Sequence, residues 1–218
     1  MRNTYRLAIA ALLFCAAATF AAKNFQMPRA YHAKTYPARD EHTQEKVTIA
    51  ADPYDTEDKQ QIFTVDFREH DLLPVLLIVT NDSDNTVNLT GMKLDLITAR
   101  RDKLTPLGMQ DVVRRIQKAV KRPDSPRVSP IPLPRRKPKA GVSQDTMDEL
   151  DAAMFHAMAV EPHTTRAGFV FFDYEGISNP LAGATLTING LTTSDGKELF
   201  FFEIPMEKYL TYQPGKTP

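Results

Sequence analysis

The chain of 218 residues contains no tryptophan, a single cysteine and nine glycines, and its 27 basic residues balance its 27 acidic residues. One cysteine excludes an internal disulfide. The balanced charge removes any overall attraction to nucleic acid or to an acidic surface. The sequence also lacks a Gly-rich phosphate loop and a GxGxxG motif, so it predicts no nucleotide cofactor.

The composition that is present is typical of a folded globular domain. Hydrophobic residues make up 42% of the chain and charged residues 25%. These values argue against a wholly disordered, a collagen-like or a multi-span membrane chain. The length corresponds to one domain with appendages, because domains usually have about 100–200 residues.

Residues 1–22 have the pattern of a secretory signal peptide. Arg2 and Arg6 precede an uncharged apolar run that ends near Ala18, and small residues suited to cleavage follow. The run is shorter than the roughly 20 residues of a spanning helix, so no transmembrane helix is expected in the mature chain. Cleavage beyond Cys15 leaves a mature chain without cysteine, whereas a secreted eukaryotic domain more often has disulfides. We therefore expect a bacterial protein that is exported to the periplasm or the cell envelope. Lipidation of Cys15 is an open alternative.

The residue pattern divides the rest of the chain into three parts. Residues 23–45 are polar and irregular and are interpreted as an N-terminal arm. Residues 46–210 are predicted to form a β domain, which a helical and basic insertion at 105–160 interrupts. Residues 211–218 are rich in proline and glycine and are expected to be a flexible tail.

Seven segments have strand character, because apolar residues alternate or form short β-branched and aromatic runs between turn residues. Seven short strands predict a mainly β fold, an immunoglobulin-like β-sandwich with a two-helix, proline- and base-rich insertion. The Cys-Trp-Cys signature of antibody domains is absent, so this prediction rests on the strand pattern. The predicted strands are 46–50, 61–67, 72–80, 87–98, 167–173, 184–191 and 198–204.

Two helices are predicted within the insertion. Thr105 and Pro106 are suited to begin a helix over about 107–121, where apolar residues recur at helical spacing. Ser143 is suited to cap a second helix over about 144–157. The predicted buried stripe of that helix is Met147, Leu150, Met154 and Ala157 or Met158.

Several segments resemble an uncharacterised family of exported bacterial proteins. They are TYPARDEH (35–42), EKVTIAADPYD (45–55), LLPVLLIVTND (72–82), EPHTTRAGFVFFD (161–173) and ELFFFEIP (198–205). The GFVFF stretch is also similar to secreted immunoglobulin-like accessory domains. The resemblance implies a fold and a location, and it brings no known activity, cofactor or catalytic residue.

The strongest local charge is basic. Ten of the 26 residues from 114 to 139 are Lys or Arg, and Asp124 is the one acid among them. Such a segment attracts an anionic envelope polymer or an acidic envelope protein. A solvated, charge-extended loop explains the same composition. The candidate binding residues are Arg114, Arg115, Lys118, Arg135, Arg136 and Lys137.

The best candidate metal ligands are Asp40, His42 and Glu45 in the polar arm. They can ligate a divalent ion if the arm folds over, but a solvated polar arm is the simpler interpretation. No catalytic constellation is visible; Ser178, for example, lacks the second glycine of a nucleophile elbow. The sequence thus favours a non-enzymatic envelope accessory or binding module without a cofactor. The alternatives are a metal-dependent protein or enzyme that uses the arm, and a subunit that docks by strand addition.

Overall fold

The computed structural model describes residues 25–120 and 142–212. The predicted signal peptide, most of the basic segment and residues 213–218 lie outside this part. Its strands are β1 (Arg39–His42), β2 (Val47–Pro53), β3 (Leu72–Asn81), β4 (Val87–Asn88), β5 (Lys93–Ile97), β6 (Lys103–Leu104), β7 (Ala159–Val160), β8 (Thr164–Asp173), β9 (Thr185–Asn189), β10 (Thr192–Thr193) and β11 (Phe202–Pro205). Its helices are α1 (Glu57–Gln60), α2 (Met109–Val120), α3 (Gln144–Ala153) and α4 (Glu207–Leu210), with 3-10 turns at Ala33–Thr35 and Phe67–His70.

The strands form three antiparallel sheets, so the predicted mainly β class is confirmed. The first sheet has the order β1-β2-β3-β8, the second β11-β9-β5-β6 and the small third β10-β4-β7. The described residues contain eleven strands rather than about seven. Four of them are only two residues long, and the predicted strand 87–98 divides into β4 and β5. The immunoglobulin-like type stays a prediction.

The first core lies between the first and second sheets. Alternate side chains of β3, including Leu73, Val75 and Leu77, are buried against Leu96 of β5 and Ile188 of β9. Side chains of a strand point to opposite faces in turn, so this alternation directs one set of β3 residues into the sandwich.

The second core lies on the other face of β3. Leu76 and Ile78 belong to a buried cluster with Ile116 of α2 and Leu150 of α3. β3 is therefore covered on both faces, which explains its nearly continuous apolar sequence. Four phenylalanines, Phe63, Phe67, Phe169 and Phe171, fill this core with edge-to-face and tilted ring contacts.

The polar arm expected at 23–45 is partly a strand. β1 forms a hairpin with β2, in which His42 is opposite Val47 and Arg39 is opposite Ala50. An edge strand buries little of its surface and tolerates charged side chains, so its sequence lacks the alternation that identifies an inner strand.

The strand expected at 61–67 is wrong. Its backbone is bonded to side chains instead: Phe67 N donates to Gln60 Oε1 at 2.7 Å, and Thr64 N donates to a Glu149 carboxylate oxygen at 2.9 Å. Phe63 and Phe67 are buried, but in the turn that leads into β3.

Helix α2 begins at Met109, later than the expected start near 107. The N–H of Leu107 donates to Phe171 O of β8 at 2.8 Å, so the residues before the helix stay extended along the edge of the first sheet. The predicted cap at Thr105 is therefore wrong.

Helix α3 begins as predicted after Ser143, whose hydroxyl accepts from Thr146 N at 3.2 Å. It ends at Ala153 rather than 157, because the N–H of Phe155 donates to Phe169 O at 2.9 Å. Of the predicted stripe, Leu150 is buried and Met154 packs against the second core, whereas Met158 lies beyond the end of the helix and is exposed. The buried residues of the helix are Thr146, Glu149, Leu150 and Ala153.

The last predicted strand is shorter than expected. β11 begins at Phe202, whereas Phe200 and Phe201 are exposed side chains just before it. Among the described residues, no helix combines the length and apolar character needed to cross a membrane.

Candidate functional site

Arg115 is not part of a free basic surface. Its side chain is 10% exposed, and its guanidinium contacts Glu175 at 2.6 Å and Asp173 at 3.1 Å. The same group donates to His70 O at 3.1 Å and lies 3.5 Å from Asp71. These contacts argue against the predicted binding role of Arg115, because its charge holds α2 against the ends of β3 and β8.

The neighbouring candidates on α2 do face solvent. Arg114 lies 3.2 Å from Asp111, and Lys118 lies 3.7 Å from Glu175, with both basic side chains mostly exposed. Exposed pairs of this kind contribute little to stability. The other three candidates, Arg135, Arg136 and Lys137, lie outside the described residues.

The candidate metal ligands Asp40, His42 and Glu45 do meet, but in a structural contact. His42 Nδ1 lies 2.9 Å from Glu45 Oε2, and His42 Nε2 lies 3.4 Å from Asp40 Oδ2. Both ring nitrogens thus face carboxylates. The imidazole also stacks on Phe202 at a centroid distance of 3.8 Å.

The two carboxylates continue the contact to the second sheet. Asp40 Oδ2 accepts from Glu203 N at 2.9 Å, and Glu45 Oε1 accepts from Phe200 N at 3.2 Å. We call Asp40, His42 and Glu45 the hairpin latch, because they join β1 to the segment of β11. The described part of the chain contains no group of three or more His, Cys, Asp or Glu residues suited to hold a metal ion.

A different region has the character of a ligand site. Two cavities, of about 620 Å³ and about 360 Å³, share Asp55 and Leu210 in their linings. Because they adjoin at these two residues, we treat the two cavities as one candidate site and call it the tyrosine groove. Its tyrosines are Tyr31, Tyr36, Tyr174, Tyr209 and Tyr212, and its charged residues are Asp52, Asp55, Lys59 and Arg68.

Separate elements bring these side chains together. Tyr31 and Tyr36 flank the first 3-10 turn, whereas Tyr209 lies on α4 and Tyr212 follows that helix. Tyr174 directly follows β8 and lines the smaller cavity. The groove therefore depends on the packing of distant parts of the chain.

Lys59 organises the larger cavity. Its ammonium lies 2.5 Å from Asp52 Oδ1 and donates to Pro53 O at 2.8 Å. The same nitrogen lies 4.5 Å from the ring centroid of Tyr209 and 5.2 Å from that of Tyr54. A cation over an aromatic face is attracted by the ring quadrupole, so Lys59 holds α4 against the end of β2.

The partly buried phenols of the groove, and the buried phenol of Tyr54 beside it, are held neutral. Burial raises the pKa of Tyr209, and its hydrogen bond to Asp55 at 2.5 Å acts in the same direction. Burial likewise raises the pKa values of Tyr36, Tyr54 and Tyr174. The groove thus offers hydroxyl groups rather than phenolates at neutral pH.

Other tyrosines of the groove present their rings to solvent. Tyr31 is 56% exposed and Tyr212 is 54% exposed. Leu210, which lines both cavities, is 44% exposed. Among the described residues, the linings of both cavities contain neither histidine nor cysteine. Ser178 lines the smaller cavity, as does Asp55, whose carboxylate accepts a hydrogen bond from Tyr209.

None of the known family models, curated proteins and solved structures compared with the chain matches it. An inference of function therefore rests on the described residues.

Proposed function

We propose that the protein is exported to the periplasm or cell envelope of a bacterium and acts there as a non-enzymatic binding module, with the tyrosine groove as its binding site. The leader pattern of residues 1–22 supports export. The groove supports binding, because pockets for ligands are concave and combine aromatic and apolar walls with a few polar groups.

The observation that carries the proposal is the clustering of tyrosine. The chain has seven tyrosines, and Tyr5 lies within the predicted leader. Of the other six, five line the groove, and Tyr54 contacts Lys59 at its side. Tyrosine gives a large, rigid contact area with a polar end at a small cost in side-chain entropy, so it is favoured on binding surfaces.

Fractionation tests the export part of the proposal. Expression in a bacterium, followed by separation of the periplasm from the cytoplasm and mass measurement, is expected to give a periplasmic chain that lacks the leader. A cytoplasmic chain with residues 1–22 intact would contradict it.

Co-sedimentation with washed envelope fragments tests the binding part. We expect the protein to be retained, and the double variant Tyr31→Ala/Tyr212→Ala to lose most of that retention. Phe200→Ala is the matched control, because it removes an exposed aromatic ring outside the groove. Equal retention of all three proteins would reject the groove as the site.

A basic surface is a second candidate site, which the exposure of Arg114 and Lys118 on α2 favours. Attraction of an anionic polymer to such a surface weakens steeply with salt. Retention that falls with salt and with deletion of residues 122–142, but not with the tyrosine substitutions, would favour this surface over the groove.

A further inference from the structure

We infer that the tyrosine groove binds an uncharged glycan chain, through aromatic faces and hydroxyl groups. This inference rests on the proposed function and names the ligand class for the same site. It follows from three properties of the lining: its balanced charge, its hydroxyl groups and its exposed aromatic rings.

The charges of the groove cancel. Asp52 and Asp55 face Lys59 and Arg68, so the lining has two acids and two bases. Each of them already has a partner: Lys59 contacts Asp52, Asp55 accepts from Tyr209, and Arg68 binds Asp66 at 2.7 Å. A charged ligand would lose its hydration without gaining an unpaired counter-charge, which favours a neutral ligand.

The free polar groups of the lining are hydroxyls and the side-chain amide of Asn179. Eight lining side chains carry a hydroxyl group. Those of Tyr31, Tyr174 and Ser178 make no hydrogen bond among the described residues. A hydroxyl both donates and accepts, so it is matched to the hydroxyl groups of a sugar.

The exposed rings supply the apolar part of recognition. Tyr31 and Tyr212 lie at the larger cavity, and Leu210 continues the apolar wall into the smaller one. A sugar ring has a face of C–H groups, which packs on the electron-rich face of an aromatic ring. The two adjoining cavities, of about 620 Å³ and about 360 Å³, provide room for more than one sugar unit.

Part of the backbone beside the tyrosine groove is already paired. Peptides are commonly bound by main-chain hydrogen bonds to a free sheet edge. Here Tyr36 N donates to Ala33 O, Tyr54 N donates to Pro74 O, and Tyr212 N donates to Tyr209 O. These three donors are satisfied within the chain and are not available to a peptide ligand, whereas the hydroxyl groups of the lining are.

Titration calorimetry with the purified protein tests the inference. The neutral probes are cellohexaose, maltohexaose and chitohexaose, and the comparison probes are hexagalacturonate and a neutral Ala-Ser hexapeptide. We expect saturable binding of at least one neutral hexasaccharide and binding of both comparison probes that is weaker by about tenfold or more. The absence of tryptophan makes tyrosine emission an independent local signal of the same binding.

Variants locate the binding. Tyr31→Ala and Tyr212→Ala are each expected to weaken glycan affinity by about tenfold, which corresponds to about 1.4 kcal/mol. Tyr31→Phe retains the ring and is expected to keep most of the affinity. Phe200→Ala is expected to bind like the unmodified protein.

The outcomes separate the ligand class from the function. Preference for the hexapeptide or for hexagalacturonate, or no binding of any neutral hexasaccharide, overturns the glycan assignment. If envelope retention still depends on Tyr31 and Tyr212 in that case, the binding function stands with another ligand. If retention is also indifferent to these residues, both proposals fail.

Discussion

Arg114 and Arg115 are adjacent in the sequence but differ fully in their surroundings. Arg115 is buried among Asp71, Asp173 and Glu175, whereas Arg114 is exposed beside Asp111. Their residue types alone predict the same role. Helical geometry decides the difference, because neighbouring residues point about 100° apart around the axis.

This contrast gives a stability prediction. Arg115→Ala is expected to lower the free energy of unfolding by about 2 kcal/mol, since it leaves a cluster of partly exposed carboxylates without its cation. Urea unfolding measures the loss. Arg114→Ala is the matched control, with an expected change under about 0.5 kcal/mol. Equal effects of the two substitutions would contradict the placement of Arg115.

Gly168 allows the chain after α3 to approach β8. A Cβ atom at this position would lie 2.4 Å from Phe155 Cα. We expect Gly168→Ala to destabilise the fold by about 3 kcal/mol, because backbone rather than a side chain must move. In the control Gly108→Ala, the new atom meets nothing closer than 3.9 Å, so thermal unfolding should change far less. Similar melting temperatures for both variants would contradict the close approach.

At the scale of elements, the hairpin latch holds the polar hairpin of β1 and β2 to the second sheet. His42→Ala removes the ring stacked on Phe202 and the contacts with Asp40 and Glu45. We expect a loss of about 2 kcal/mol in urea unfolding. His156→Ala, at an exposed position, is expected to have little effect.

The same variant tests the metal alternative. If the latch is structural, a chelator will leave the melting temperature of the unmodified protein unchanged. Stoichiometric metal in tag-free protein, lost on His42→Ala, would instead establish a metal centre at the latch.

Strand prediction succeeded where burial is regular. The apolar run of β3 and the alternation in β5 and β9 follow from residues packed on one or both faces of a sheet. The same rule failed at 61–67, where Phe63 and Phe67 have strand spacing but side chains of Gln60 and Glu149 bind the backbone. Hydrogen bonds from side chains outside the segment leave no pattern in the segment's own sequence.

The tyrosine groove could not be predicted from the sequence. Its tyrosines are scattered from Tyr31 to Tyr212, and each is surrounded by residues of ordinary composition. They meet because Lys59 of α1 lies over the ring of Tyr209 of α4, and Asp55, which follows β2, accepts a hydrogen bond from the hydroxyl group of Tyr209. The one available hint was that tyrosine is concentrated near both ends of the chain beyond the predicted leader.

At the scale of the whole molecule, the buried phenols make stability depend on alkaline pH. The pKa of Tyr209 is raised in the folded chain, first by burial and then by its bond to Asp55, and burial also raises that of Tyr54. The unfolded chain therefore releases these protons first, near pH 10. Stability is full below about pH 10 and falls as the pH rises above it.

Urea unfolding between about pH 9 and about pH 11 tests this dependence. Tyr209→Phe is expected to lose about 1 kcal/mol near neutral pH, because Asp55 loses its donor, but to show a shallower alkaline decline. Phe200→Ala neither adds nor removes a phenol, so its unfolding free energy should decline with pH as steeply as that of the unmodified protein. A constant unfolding free energy across the range would contradict the burial of these phenols.

The most direct measurement is a tyrosine-labelled NMR spectrum of the purified protein, recorded as solubilised envelope material is added. If the groove is the binding site, the ring signals of Tyr31, Tyr36, Tyr174, Tyr209 and Tyr212 will shift together and saturate together. Signals that stay unchanged while the protein is demonstrably bound would place the contact elsewhere and contradict the account.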